Sequence, residues 1–159
     1  MNFKALLSKI TGFLETLLVP ARVLVGGVFF YSGLSKLIQP SEYFELAISF
    51  YRIIPDRLLH PIALVLPWIE LISGTFLILG YCLIPTAVVL SILTGIFQLM
   101  LGQAIVRRVP IDECGCFGGG LVHLTLYQSF VMDTVMLLTL IQVATSEKPR
   151  FTLDNLLNN

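Results

Sequence analysis

The sequence predicts an all-α fold: a polytopic membrane four-helix bundle with short interfacial helices. Three observations carry that expectation. Of the 159 residues, 56% are hydrophobic and 13% are charged, against roughly 45–50% and about 25% in an ordinary soluble domain. Ten basic and ten acidic residues cancel, and the mean hydropathy is +0.88. The apolar residues gather in four runs, each near the length of about 20 residues that a spanning helix needs. A soluble globule of this size has too little polar surface to cover so much apolar area. The same hydrophobicity excludes disorder. The balanced charge offers no basic field for nucleic acid, so the expected partner is the lipid bilayer. Three cysteines are too few for a disulfide scaffold.

The elements follow in order. Phe3, Leu6, Leu7, Ile10, Phe13, Leu14 and Leu17 recur at helical spacing, with Lys4, Ser8, Lys9 and Glu15 between them. That pattern predicts an amphipathic interfacial helix near 3–17. Lys9 and Glu15 break the apolar run and no small-residue cleavage site follows, which argues against a signal peptide. The first span is expected near 19–38, with Gly26, Gly27 and Gly33 available for close helix packing. Ser41 opens a second interfacial helix near 41–54, closed by Pro55. Its aromatic residues suit the headgroup level. The second span is expected near 61–81, where Gly74 and Gly80 are further packing candidates. The third, near 84–104, has no charged residue, and the fourth is expected near 121–145. Only a tight turn at Cys82 and Leu83 separates the second and third spans, which makes them antiparallel neighbours. No linker or low-complexity stretch divides residues 1–159, so a single transmembrane domain is expected.

Four spans put both termini on one side of the membrane. That side carries Lys4, Lys9, Arg22, Lys148 and Arg150, and the other carries Lys36, Arg52, Arg57, Arg107 and Arg108. The tie leaves the positive-inside rule undecided. The expected topology, leaning on the cysteine chemistry, has the termini inside and the connection between spans three and four outside; the resemblance described below makes this a bacterial inner membrane, with that connection in the periplasm.

That connection contains Cys114-Gly115-Cys116-Phe117-Gly118-Gly119-Gly120. A disulfide closed over one residue makes a strained ring, and departure from relaxed geometry eases reduction. Gly115 can take the dihedrals such a ring demands. The bridge closes almost no loop, so it suits electron exchange better than cross-linking. A metal reading would add His123 to the two thiolates, for Cu(I) or Zn. Three ligands fall short of a closed structural zinc site, so no metal ligand is assigned. Incidental cysteines are the third reading. Cys82 belongs to the opposite membrane face and reads as a small buried hydrophobe.

Glu70 and Asp133 fall mid-span, and Arg22 and Lys36 fall near the ends of the first span. Intramembrane charge should face the bundle interior. Glu70 is either a proton acceptor coupled to thiol or quinone chemistry, or a partner of Asp133 in interhelical hydrogen bonds. Arg22 and Lys36 read as snorkelling residues.

The first-span segment from Arg22 to Lys36 resembles that of DoxX-like membrane proteins. Leu66-Pro67-Trp68-Ile69-Glu70-Leu71 and Cys114-Gly-Cys-Phe-Gly118 are similar to the MauE branch of that group. The resemblance runs from about Val19 to the fourth span. It implies a four-helix membrane bundle acting in maturation of methylamine dehydrogenase, a periplasmic enzyme with a disulfide-rich small subunit. It also implies a periplasmic thioredoxin-like partner. Related DoxX-type proteins include a subunit of a thiosulfate:quinone oxidoreductase, which makes quinone a candidate cofactor. Cys114 and Cys116 would then be the redox pair of a thiol–disulfide oxidoreductase, with Glu70 at a quinone or proton-coupling site. Two other functions stand beside this one. One is a non-catalytic membrane anchor or assembly subunit. The other is a small-molecule binder in which Glu70 and Asp133 line a polar cavity.

Overall fold

The computed structural model describes residues 3–107 and 125–146, with side chains from residue 18 onward. Cys114, Cys116 and His123 lie outside the described residues, as does the start of the expected fourth span at 121–124. Five helices follow one another: α1 (Phe3–Ile38), α2 (Ser41–Ser49), α3 (Asp56–Leu79), α4 (Leu83–Val106) and α5 (Leu126–Thr145). No strand occurs among the described residues. Four helical segments are long and apolar enough to cross a membrane: Leu18–Ile38, Asp56–Leu79, Leu83–Val106 and Leu126–Thr145. Only 28–33% of each is buried inside the bundle. Their outward faces carry Leu24, Ile92, Leu99 and Leu138, which suit a lipid solvent. The protein is an all-α, multi-pass membrane protein.

The segment 3–17 and the first span form one unbroken helix, running through Pro20. After it, α2 is nine residues long and stops well before Pro55. Tyr51 and Arg52 bond back to Ile48 and Ser49, and Arg52 turns left-handed at φ 50°. α3 then starts at Asp56, five residues ahead of the expected span. At its far end Gly80 adopts φ 71°, and both its N–H and that of Tyr81 reach the carbonyl of Phe76. This left-handed closure is the reason for a glycine there, so Gly80 ends α3 instead of packing helices. Cys82 caps α4 in a left-handed conformation and is exposed. Its expected burial is therefore corrected: a three-residue turn at the bundle end points it outward. At the other end, Thr125 and Gln128 form a reciprocal capping box that starts α5.

The tightest packing joins α1 to α3, and α4 to α5, rather than the chain neighbours α3 and α4. Glycine explains the first pair. A Cβ on Gly33 would lie 2.7 Å from both the Pro67 carbonyl oxygen and the Leu71 nitrogen. One on Gly74 would lie 2.7 Å from the Phe30 nitrogen, and one on Gly26 would lie 3.0 Å from the Gly74 oxygen. Backbone therefore rests on backbone along this seam. Gly27, expected to share that role, faces open space. The second pair is joined by Gln98, whose Nε2 donates to Thr134 Oγ1 at 2.7 Å.

Two apolar clusters fill the bundle. One holds Val25, Phe29, Leu77, Leu90, Met136 and Leu140. The other, at the α2 end, holds Phe44, Ile48, Tyr51, Leu59, Met100 and Leu101.

The glycine contacts give a paired expectation. Gly33→Ala should destabilise the protein by about 1–3 kcal/mol, because the opposing atoms are backbone and cannot give way. Gly27→Ala should be neutral or stabilising by up to about 1 kcal/mol. Unfolding of both variants in detergent would check this; equal effects would refute the close-contact account.

Candidate functional site

Between the two clusters lies a polar layer, and its centre is an ion pair. Ser32 and Lys36 stand one turn apart on α1, so their side chains share a face. Glu70 stands on the inward face of α3, three residues after the buried Pro67. Lys36 Nζ donates to Glu70 Oε1 at 2.8 Å and to Oε2 at 2.7 Å. It also lies 3.0 Å from Ser32 Oγ, which itself donates to Glu70 Oε2 at 3.0 Å. The two charged side chains are 1% and 3% exposed.

Aromatic rings complete the enclosure. The Lys36 ammonium lies 4.6 Å from the centroid of Phe44 on α2 and 5.5 Å from that of Phe97 on α4. These are cation–π distances. One ammonium thus contacts α1, α2, α3 and α4.

Lys36 therefore does not snorkel, contrary to the sequence expectation. Helical Cα–Cβ bonds tilt towards the N-terminus, so a lysine near the C-terminal end of α1 points back into the bundle. Arg22 is buried as well. The partner of Glu70 is Lys36 together with Ser32, rather than Asp133. Sequence reasoning missed this partner, although a Ser-x-x-x-Lys spacing opposite a mid-span glutamate was a usable signal.

Asp133 nevertheless belongs to the same site. It lines one cavity with Ser32, Lys36, Glu70 and Thr94, walled by Phe97, Met132 and Met136. The cavity lies where the α1/α3 pair faces the α4/α5 pair. It offers about 30 Å³ to the centres of water molecules. Organic ligands occupy pockets of about 300 Å³ or more, so a quinone ring beside Glu70 requires this seam to widen. Among the described residues, no group of three or more His, Cys, Asp or Glu could hold a metal ion. The thiol pair and His123 lie outside those residues.

Chemically, the ion pair is a structural anchor that also carries an ionisable group at mid-depth. Removing one partner strands a buried charge, which costs about 3–5 kcal/mol. Replacing both partners with apolar residues of similar volume is often neutral. Glu70→Ala should accordingly destabilise the protein strongly. Lys36→Met combined with Glu70→Met should recover most of the loss. Unfolding in detergent measures both, and a double variant no better than the single would refute the charge-stranding account.

Comparison with known proteins bears on the same residues. The family model described as "Methylamine utilisation protein MauE" matches residues 13–146. The methylamine utilization protein MauE of Paracoccus denitrificans is 30% identical over 124 residues, covering 78% of this chain and 66% of that relative. The protein of the same description from Methylorubrum extorquens is 36% identical over 90 residues, covering 57% of this chain and 48% of the relative. The chain thus spans about two-thirds and about half of the lengths of these relatives. No solved structure matches it. With a match from the first helix through the last, the chain belongs to the MauE family.

Proposed function

We propose that this protein is a membrane accessory factor of methylamine utilisation, working as a thiol–disulfide redox protein through Cys114 and Cys116. The observation that carries the proposal is a Cys-Gly-Cys pair within a MauE-family match. One thiolate of the pair attacks the disulfide of a periplasmic thioredoxin-like partner and forms a mixed disulfide. The second thiolate displaces the partner, leaving a Cys114–Cys116 bridge and a reduced partner dithiol. The exchange is reversible, and relative potentials set its direction. On the membrane side, a quinone–quinol couple restores the pair with two electrons and two protons: in the direction just written, bridge and quinol give dithiol and quinone, and in the reverse direction dithiol and quinone give bridge and quinol. Glu70 serves this step as the proton-coupling group within the membrane. The client is a periplasmic enzyme such as methylamine dehydrogenase.

The helix ends support this arrangement. α4 ends and α5 begins at the α2 end of the bundle, where Leu101, Ala104 and Leu126 pack with Phe44 and Ile48. Arg107 and Thr125, the described residues that flank Cys114 and Cys116 in sequence, therefore lie at that end. Cys82 starts α4 at the opposite end, about 36 Å away for a helix of 24 residues.

An anchoring role is the second reading. It is favoured by Tyr43 and Leu46 on α2 and Phe50 at its C-terminal cap, which are more than half exposed. In that case the cysteines are dispensable.

Thiol trapping in cells separates the two. A membrane-impermeant maleimide added to the periplasm should modify Cys114 and Cys116 after reduction and spare Cys82. Without reductant, the pair should be protected as a disulfide in a fraction of molecules. A pair that is always reduced and reacts only from the cytoplasm would end the redox proposal. Full activity of the Cys114→Ser, Cys116→Ser double variant would favour the anchor.

A further inference from the structure

The outward face of α4 carries a heptad. Val88, Ile92, Gly95, Leu99, Gly102 and Val106 are spaced alternately by four and three residues, which puts them in one stripe. A spacing that averages 3.5 is the pattern by which one helix meets another lengthwise. The four large side chains of the stripe are 43–84% exposed, so no described helix of the chain covers it.

The two glycines make the stripe concave. A Cβ on Gly95 would meet nothing within 4 Å, and one on Gly102 only Phe130 at 3.6 Å. Gly26, Gly33 and Gly74 serve the α1/α3 seam, whereas these two are open to a helix from outside. With Phe130 and Leu137 of α5 they line a groove of about 750 Å³ on the lipid side.

Two amides beside the stripe indicate which helix fits. Gln98 gives one Nε2 hydrogen to Thr134 at 2.7 Å, while its Oε1 is buried and has no hydrogen-bond partner. Hydrocarbon cannot supply one. Gln103 is complementary. With its oxygen turned to the Arg107 guanidinium it accepts at 2.7–3.1 Å, which leaves its Nε2 hydrogens to donate. Both amides line the groove. With Ile92 and Leu99 as a positions and Gly95 and Gly102 as d positions, Gln98 is a g position and Gln103 the following e position. Those positions face each other across two parallel helices and select partner and register. Two copies inserted alike in one bilayer are related by a two-fold axis along the membrane normal. Their α4 helices therefore run parallel, and the amide pair forms twice. Leu83–Val106 contains no charged residue, so no charge meets its own copy across the axis.

We propose that the α4 face docks a second copy of this chain. Each Gln98 Oε1 turns to the groove and accepts from Gln103 Nε2 of the partner subunit. The broad terminal torsion of glutamine allows that turn with the helix unchanged. The proposal goes beyond the thiol–disulfide reading and stands without it.

Single-molecule photobleaching of the full-length protein, labelled at its C-terminus in liposomes, tests this across protein-to-lipid ratios. The fraction of dimers should rise with density. Gly95→Ile adds bulk where the monomer has open space, and should weaken association at least tenfold. Gln98→Leu should weaken it several-fold. Gly27→Ile, at an equally open glycine on α1, should leave it unchanged. Monomers at every density, with or without a small lipid-soluble molecule retained in the groove, would overturn the proposal. So would a dimer that neither Gly95→Ile nor Gln98→Leu weakens. The unaltered protein and Gln98→Leu carry the comparison even where Gly95→Ile fails to fold.

Discussion

A charge moved from water into hydrocarbon must meet its counter-charge inside the protein. Here that requirement falls on Lys36 and Glu70, and much of the bundle is arranged around them. The pair fixes the register of α1 on α3. Sliding one helix past the other by a turn, about 5.4 Å, would strand both charges. The glycine contacts impose the same register independently, since Gly26 meets Gly74 and Gly33 meets Pro67. Buried ion pairs contribute little net stability compared with apolar replacements. Their better-attested value is in selecting one alignment, and that is the role the coincidence of pair and glycines supports.

The smaller polar groups obey the same rule. Thr75, Ser91, Thr94, Thr134 and Thr139 each donate to the carbonyl four residues back. No water is needed, and the hydroxyls stay neutral towards lipid. Helix ends are closed by Gly80 and by the Thr125–Gln128 box. The apolar outer faces need no such provision, because hydrocarbon accepts them as readily as a core does.

What the sequence disclosed follows from which properties are local. Spanning length and apolarity are local, so the four spans were legible. A glycine's purpose is not local. Gly33 and Gly74 serve backbone contact, Gly80 serves a left-handed turn and Gly27 serves neither, yet the four look alike in sequence. Lys36 reads as a snorkelling residue only while its nearness to a helix end is weighed without side-chain direction. At the C-terminal end of α1 that direction leads inward. Cys82 is exposed, despite its apolar character, because a turn of three residues leaves its cap no interior to enter. The roles of Cys114 and Cys116 rest on their spacing and on the family, as they did before the fold was known.

The ion pair shares a structural element with the helix ends that flank residues 108–124 in sequence. Phe44 lies against the Lys36 ammonium on one side and packs in the α2-end cluster on the other. That cluster includes Leu101 and Ala104 near the end of α4, and Leu126 at the start of α5. The polar centre is therefore in contact, through one aromatic ring, with the frame from which the segment 108–124 departs. Ammonium and ring attract only while the lysine is charged and held in place, and Glu70 with Ser32 holds it there. A change of charge at Glu70 would act first on Lys36, next on the seat of α2, and then on the ends of α4 and α5 that pack with it.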